Sequence, residues 1–172
     1  YYLIMYYSGI RLEHVVRFIA EYNPMETVEI TSADIVSRRL VCYEDRGFCR
    51  YYLGLGETGK PCEWIWFPMD LLELVNKYGR TKRKRSKVSD YARNYDLLRP
   101  KYLRKLHWRI GTRVIQDKDI LRFIQSRFGE LGIAETRYGD LLTRTDSEYP
   151  KLMHVLRKGL EDLEYLKQLL AS

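Results

Sequence analysis

A change in residue pattern along the chain limits the folds that it can adopt. Residues 28–67 are rich in Val, Ile, Tyr, Trp and Phe, in short runs punctuated by Asp45-Arg46-Gly47 and by the glycines from Gly54 to Gly59. This pattern is typical of short antiparallel strands joined by turns. The segments before and after it carry apolar residues at helical spacing. The sequence therefore predicts an α+β fold that is mostly helical, with one small antiparallel sheet.

Helices are predicted on both sides of the sheet from apolar periodicity and from the residues that begin and end helices. Two lie before it, at 1–9 and 12–22, separated by Ser8-Gly9 and ended by Asn23-Pro24. Pro100 suits the first turn of a helix. Proline has no N–H to donate, and the N–H groups of the first turn have no partner within the helix in any case. The predicted helices after the sheet are 69–78, 87–97, 100–116, 117–127, a short one near 134–142, and 148–170.

The last predicted helix carries leucines three and four residues apart, which form an apolar stripe along one face. Such a stripe packs into the protein's own core or into the groove of a partner, and the spacing alone fits both. The leucines are Leu152, Leu156, Leu160, Leu163, Leu166 and Leu170.

Composition narrows the class of protein. With 45% hydrophobic residues and no apolar run of the roughly 18 residues that a membrane span needs, the chain is predicted to be one globular domain off the membrane. A formal net charge of +7 favours a polyanionic partner such as nucleic acid, although many basic proteins bind none. Cys42, Cys49 and Cys62 are odd in number and lack C-x-x-C spacing, so they are predicted to be structural thiols in a reducing compartment.

A run of cations follows the predicted helix 69–78. It contains Arg80, Lys82, Arg83, Lys84, Arg85 and Lys87 within eight residues. Such a run is commonly a solvated loop, and it is also typical of a nuclear-import signal. We interpret it as a DNA anchor, because each Lys or Arg that neutralises a phosphate releases a counterion and adds affinity without reading sequence.

The glycine-rich segment from Gly54 to Lys60 comes close to the phosphate-binding loop G-x-x-x-x-G-K-[ST]. Pro61 stands where that loop needs a Ser or Thr for magnesium, and the strand-like Trp64-Ile65-Trp66-Phe67 follows where it needs a helix. The segment is therefore predicted to be a hairpin tip that carries Lys60, and a nucleotide site is not expected.

Several short motifs, in their order along the chain, resemble the catalytic domain of tyrosine recombinases. Ser8-Gly9-Ile10-Arg11 is similar to the family's first arginine motif, and Lys60 lies where the family places a catalytic lysine on a hairpin. Lys101-Tyr102-Leu103-Arg104 is similar to the family's H-x-x-R motif, with lysine in place of the histidine. This substitution resembles the motif of integrases from archaeal fuselloviruses and related plasmids. Thr136-Arg137-Tyr138 looks like that group's approach to its nucleophile.

Two positions depart from the family pattern. His14 stands where the family has an acid three residues after the first arginine, with Glu13 one residue earlier. The usual G-H before the tyrosine is replaced by Gly129-Glu130. Arg127 is a candidate substitute for that histidine, and a plain surface cation is its alternative.

The resemblance implies a place and partners for the chain. Residues 1–172 would be the C-terminal catalytic domain of a larger integrase, since the chain opens without Met inside a predicted helix and would lack an N-terminal DNA-binding part. The implied partners are double-stranded DNA and other integrase protomers in a tetramer on that DNA. The implied location is the cytoplasm, and neither a cofactor nor a metal is implied.

The candidate residues suit DNA strand transfer. A tyrosine hydroxyl, with an ordinary pKa of about 10, needs nearby cations to attack a phosphodiester, and Tyr138 is the proposed nucleophile. Arg11 and Arg104 can each offer paired donors to non-bridging oxygens. Lys60 is predicted to protonate the leaving 5′ oxygen, and Lys101 to bind phosphate or assist proton transfer.

Other interpretations of the same residues remain open. In a non-catalytic DNA-binding or architectural domain, Arg11 would pair with Glu13 or Asp34 and Tyr138 would only pack. An RNA-binding module would need its aromatic residues exposed as stacking platforms. Those aromatic residues are Tyr51, Tyr52 and Trp64.

Two further groups of residues are predicted to carry no metal. The three histidines share no ligand spacing and are predicted to be ordinary helix residues; they are His14, His107 and His154. Asp117 and Asp119 are explained by an acidic helix start.

Overall fold

A computed structural model describes residues 1–56, 61–127 and 138–171. Within these ranges helices flank two small antiparallel sheets, which confirms the predicted α+β, mostly helical fold. The helices are α1 (Tyr2–Ser8), α2 (Leu12–Glu21), α3 (Leu72–Tyr78), α4 (Arg85–Asn94), α5 (Pro100–Val114), α6 (Lys118–Ile124), α7 (Tyr138–Glu161) and α8 (Leu163–Ala171). The strands are β1 (Thr27–Ile30), β2 (Ile35–Arg38), β3 (Leu40–Tyr43), β4 (Phe48–Tyr52) and β5 (Trp64–Pro68).

The strands form two sheets where one was predicted. β1 pairs with β2, and a second sheet has the order β3-β4-β5. The break lies at Arg39, whose N–H donates to the carbonyl of Glu26 (2.8 Å) while its own carbonyl accepts from the N–H of Tyr52 (2.7 Å). Because the partner changes at this one residue, the ladder of the first sheet ends where that of the second begins.

Strand β5 lies at the centre of the packing. It contacts α1, α6 and α7, and Ile65, Trp66 and Phe67 are completely buried. Burial on both faces explains why the strand is a continuous apolar run instead of an alternating one. Trp64, at 2% exposure, and Tyr51, at 0%, cannot act as stacking platforms for bases, which excludes the RNA-binding alternative.

Helix α7 corrects the prediction of two helices at 134–142 and 148–170. It is continuous over Tyr138–Glu161 with Pro150 inside it. The polar residues between the two predicted helices are compatible with a continuous helix. The hydroxyls of Thr143 and Ser147 donate to backbone carbonyls one turn back in the same helix, at 3.0 and 3.1 Å. Of the helices in the described ranges, none combines the length and apolar character needed to cross a membrane.

The leucine stripe is divided between the core and the surface. Leu152 and Leu156 are completely buried, whereas Leu160 and Leu163 are 53% and 63% exposed. The division follows the end of α7, since Asp162 separates α7 from α8. The prediction of one continuous stripe is wrong at Leu160 and Leu163, whereas Leu166 and Leu170 are half-buried and pack against the core.

Two of the three cysteines form a disulfide, which contradicts the prediction of free structural thiols. Cys42 and Cys49 are bonded to each other, and Cys62 is free and buried. The 3₁₀ turn over Glu44–Arg46 places Cys42 directly opposite Cys49 in the register of β3 and β4. Cross-strand proximity of this kind is invisible in the spacing of cysteines along the sequence.

Candidate functional site

Gly9 joins the first two helices and begins the site. It ends α1 in the left-handed conformation (φ 65°), with its N–H donating to the carbonyl of Met5 at 2.8 Å. A Cβ here would collide with the ring of His107 and the side-chain amide of Gln125. Both the backbone conformation and the lack of space therefore require glycine at this position of the Ser8-Gly9-Ile10-Arg11 motif.

Arg11 stands at the N-terminal cap of α2, with extended backbone dihedrals. One of its terminal nitrogens is buried without a hydrogen-bond partner in the described ranges. Glu13, a predicted partner, pairs with Arg85 instead (3.4 Å), and Asp34 forms no ion pair with Arg11. A half-buried guanidinium with an unused donor can bind an anion without first breaking an ion pair.

Arg104 projects from α5 to the same junction. Its Nε donates to the carbonyl of Gly9 (3.1 Å), two residues before Arg11, and its Nη2 donates to the carbonyl of Gln125 (3.0 Å). The helical start at Pro100 is as predicted, so Lys101 and Arg104 lie one turn apart on α5. Arg104 is therefore fixed by two backbone carbonyls from different elements.

Gln125, which the sequence analysis did not single out, forms hydrogen bonds to Arg104, His107 and Arg127. Its side-chain amide donates to the carbonyl of Arg104 (3.2 Å) and to Nδ1 of His107 (2.8 Å), and its Oε1 accepts from Nε of Arg127 (2.9 Å). The guanidinium of Arg127 also lies 4.4 Å from the centre of the Trp108 ring. Arg127 is thus held in place beside Arg104, more firmly than a plain surface cation would be.

Three arginines create a positive potential around His14. Burial, followed by the charges of Arg17, Arg11 and Arg104, lowers the pKa of His14 to about 4. The same three guanidiniums act on the buried thiol of Cys62, although burial dominates there and raises its pKa to about 11. Arg11 and Arg104, from distant motifs, thus both act on His14, and Arg104 also bonds to Gly9, two residues before Arg11.

Because His14 is neutral, it adds no further charge beside Arg11 and Arg17. Its Nε2 has no hydrogen-bond partner in the described part of the chain, and the nearest acid, Glu13, is 3.8 Å away. His107 is also buried and neutral, since burial lowers its pKa to about 3. All three histidines lie in helices, as predicted, with His14 and His107 buried and His154 exposed.

Arg17 is a site residue that the sequence analysis missed. Its Nη2 donates to the carbonyls of Gly54 and of Cys62 (2.9 Å to the latter), so it ties together the two ends of the segment between β4 and β5. The available signal was its position one helical turn after His14 on α2. Lys60 belongs to this segment and lies outside the described residues.

The glycine-rich segment does not lead into a helix. Gly54 and Gly56 have left-handed backbone conformations (φ 76° and 82°), and the chain after Pro61 enters β5. Among the described residues, a strand thus follows Pro61 where a phosphate-binding loop would have a helix N-terminus.

Tyr138 is held near this cluster by a tryptophan. Its side chain is 9% exposed, its hydroxyl accepts a hydrogen bond from Nε1 of Trp64 (2.9 Å), and its ring packs edge-on against Phe123 (5.1 Å). Within the described ranges this hydroxyl has no arginine as a hydrogen-bond partner. Trp64 connects Tyr138 to the arginines along the chain. Cys62, whose carbonyl accepts from Arg17, lies two residues before Trp64, and two residues of extended chain span about 7 Å between Cα atoms.

Lys101 lies at the surface, one turn before Arg104 on α5. It is exposed, with its ammonium 4.9 Å from the centre of the Tyr102 ring. Together with Ser89, Arg93 and Arg99 it lines a cleft of about 520 Å³ between α4 and α5. This basic cleft suits phosphate binding better than proton transfer at the arginine cluster.

The predicted basic run is exposed along its length and passes close to the cluster. Its first residues form a loop and its last ones begin α4. Arg85 forms an ion pair with Glu13 (3.4 Å). Glu13 lies in the first turn of α2, the helix that Arg11 caps. The run therefore places a row of solvated cations beside the site.

The acidic pair near residue 117 is structural. Asp117 caps α6 by accepting from the N–H of Asp119 (2.8 Å), and it also pairs with Arg144. The described residues contain no group of three His, Cys, Asp or Glu side chains placed to hold a metal ion.

Comparison with known proteins identifies the chain at the level of its family. Residues 1–155 of 172 match the family model of archaeal phage integrase, a span that includes both the arginine cluster and Tyr138. No curated protein and no solved structure matches the chain. The chain belongs to the archaeal phage integrase family, and thus to the enzymes that recombine DNA at specific sites.

Proposed function

We propose that the chain is a tyrosine-type recombinase domain that cleaves and rejoins double-stranded DNA through a 3′-phosphotyrosyl intermediate, without a metal. The observation that carries the proposal is that Arg104 bonds to Gly9, two residues before Arg11, while Arg11 caps the helix that contains Arg17. All three arginines lower the pKa of His14. A buried donor of Arg11 without a hydrogen-bond partner in the described ranges, close to further positive charge, would suit an anion. The scissile phosphate is the anion that an integrase must bind.

The arginines supply the charge stabilisation. Each guanidinium offers planar paired donors to two non-bridging oxygens, and it stays charged at any working pH. Arg11 and Arg104 can thus hold a pentavalent phosphate, which removes the need for a metal ion. Arg17 adds a third charge, while its bonds to Gly54 and Cys62 keep it at the base of the segment that carries Lys60.

Tyr138 is the proposed nucleophile. It lies at the start of the described part of α7, with its hydroxyl hydrogen-bonded to Trp64, two residues after Cys62. Positive charge close to the phosphate favours the phenolate in attack. Lys60 would protonate the leaving 5′ oxygen, Lys101 would bind phosphate in the basic cleft, and Arg127 would support the phosphate beside Arg104.

DNA binding outside the site is assigned to the basic run. Its cations are exposed, and they are Arg80, Lys82, Arg83, Lys84, Arg85 and Lys87. On the DNA, the domain would act with other protomers in a tetramer.

One observation favours a second function, a non-catalytic DNA-binding domain. Tyr138 is buried and hydrogen-bonded to Trp64, as a tyrosine that only packs would be. In that case the arginine cluster would bind backbone phosphates without cleavage. The two functions differ in whether a covalent bond to DNA forms.

A trapping experiment separates them. With a nicked suicide substrate in excess chelator, the wild-type protein is expected to form an adduct that survives denaturant and that yields phosphotyrosine on acid hydrolysis. The arginines carry the charge that a metal would otherwise neutralise, so the chelator should not reduce the yield. Binding without adduct would favour the second function, and strict magnesium dependence would contradict the metal-free mechanism.

The basic run gives a prediction about salt. Replacing Lys82 and Lys84 with Ala should weaken DNA binding and reduce the slope of log K against log salt concentration by up to about 0.9 for each lost phosphate contact. Lys151 and Lys167 provide a matched control, because each is paired with a glutamate on its own helix (2.6 and 2.5 Å). Replacing these two should leave the slope unchanged, whereas an unchanged slope for Lys82 and Lys84 would mean that the run is only solvated.

A further inference from the structure

The hydroxyl of Tyr138 is held by a residue that takes no part in the arginine cluster. Nε1 of Trp64 donates to it at 2.9 Å, and both side chains are buried. This bond occupies one of the two lone pairs of the hydroxyl oxygen and makes the oxygen a weaker nucleophile. A phosphodiester within a DNA duplex also cannot reach an oxygen that the protein interior covers.

Trp64 is itself fixed by its neighbours. The guanidinium of Arg50 lies 4.8 Å from the centre of its ring, and the ring of Tyr52 meets it edge-on at 4.9 Å. Arg50 is buried at 6% exposure and forms an ion pair with Asp146, which is equally buried. The indole N–H therefore points at Tyr138 from a rigid support.

The same support holds the helix that carries Tyr138. Asp146 lies eight residues after Tyr138 on α7. Besides Arg50 it accepts hydrogen bonds from Nε1 of Trp66 (2.8 Å) and from the hydroxyl of Tyr43 (2.9 Å). Three donors from the sheet thus fix α7 at Asp146, and Trp64 fixes it again at Tyr138.

We propose that Trp64 is a positioning residue that holds Tyr138 at rest, and that its N–H releases the hydroxyl before attack. This inference rests on the proposed function, in which Tyr138 is the nucleophile. Arg50 and Asp146 act through Trp64 by keeping its ring in place. Trp64 has no part in the chemistry at the phosphate.

The contact can be tested by NMR without any DNA. The chain has three tryptophans, so its indole N–H groups give three ¹H–¹⁵N peaks, and Trp64→Phe identifies the Trp64 peak by its loss. Tyr138→Phe should shift that peak towards the position of an indole without an acceptor, and should leave the peaks of Trp66 and Trp108 in place. A Trp64 peak that does not move in Tyr138→Phe would overturn the proposal.

The effect on reaction can be tested by single-turnover cleavage of the nicked substrate at saturating DNA. Trp64→Phe keeps an aromatic ring beside Arg50 and removes the N–H, so cleavage should become faster by about 2-fold to about 10-fold, the factor by which one neutral hydrogen bond shifts an equilibrium. Trp66→Phe is the matched control, because it removes an indole donor to Asp146 and none to Tyr138; its rate should not rise.

An unchanged rate for Trp64→Phe would mean that the N–H only packs against the tyrosine, and a slower rate would mean that it activates the tyrosine. Either result would overturn the proposal. The NMR shift keeps the proposal testable if Trp64→Phe does not fold, because the wild type and Tyr138→Phe then suffice, with the peak assigned through its contacts. Failure of the proposed function has a separate signature, an adduct that forms in Tyr138→Phe.

Discussion

Replacing Tyr138 with Phe is expected to abolish the covalent protein–DNA adduct and to leave DNA binding largely intact. The phenyl ring can keep its edge-on contact with Phe123, while the oxygen that would bond to phosphorus is gone. In the proposed function, affinity comes from the arginine cluster and the basic run, which the change does not touch. A denaturing gel measures the adduct, and fluorescence anisotropy with labelled substrate measures binding.

Tyr149 gives the matched control on the same helix. It is completely buried, and its hydroxyl donates to the carbonyl of Tyr7 (3.2 Å), so Tyr149→Phe removes a buried hydroxyl without touching the site. This variant should still form the adduct. Adduct formation by Tyr138→Phe would refute Tyr138 as the nucleophile, and loss of binding in that variant would show that the change had disturbed the fold.

Replacing Lys60 with Ala should slow cleavage by about 100-fold to about 10,000-fold, the range for a lost general acid. The reason is that the leaving 5′ oxygen would depart as an alkoxide if nothing protonated it. A substrate with sulfur at the bridging 5′ position has a leaving group that needs no proton. That substrate should restore the Lys60→Ala rate to near the wild-type value in single-turnover measurements.

Arg104→Ala supplies the contrast, because a lost guanidinium weakens stabilisation of the phosphate whatever the leaving group. This variant should stay impaired on both the oxygen and the sulfur substrate. If Lys60→Ala were equally slow on both substrates, Lys60 would be a positioning residue at most. The general acid would then have to be sought elsewhere.

The parts of the fold that the sequence predicted are those fixed by neighbours along the chain. The start of α5 follows from Pro100, and the closeness of Lys101 and Arg104 follows from one turn of that helix. The mostly helical chain around short strands follows from residue pattern. The meeting of Arg11 with Arg104 was implied only by resemblance, since the two residues are 93 positions apart in the sequence.

What the sequence did not reveal depends on contacts between distant residues. Gln125 matters because it faces Arg104 and His107 from another helix, and nothing in its local sequence indicates that. The same holds for Trp64, whose aromatic pattern predicted a strand but not the partner of its N–H. The disulfide between Cys42 and Cys49 likewise depends on strand register.

The double attachment of α7 has a consequence for how this family can change during evolution. Each residue added or removed between Tyr138 and Asp146 would turn one of them by about 100° around the helix axis relative to the other and shift it by about 1.5 Å. Trp64 and Arg50, on neighbouring strands, could not follow such a turn. The number of residues between the tyrosine and the aspartate is therefore constrained more strictly than the identity of exposed residues between them, such as Asp140 and Arg144. Related integrases that keep this support should tolerate substitutions in that stretch of helix but neither insertions nor deletions.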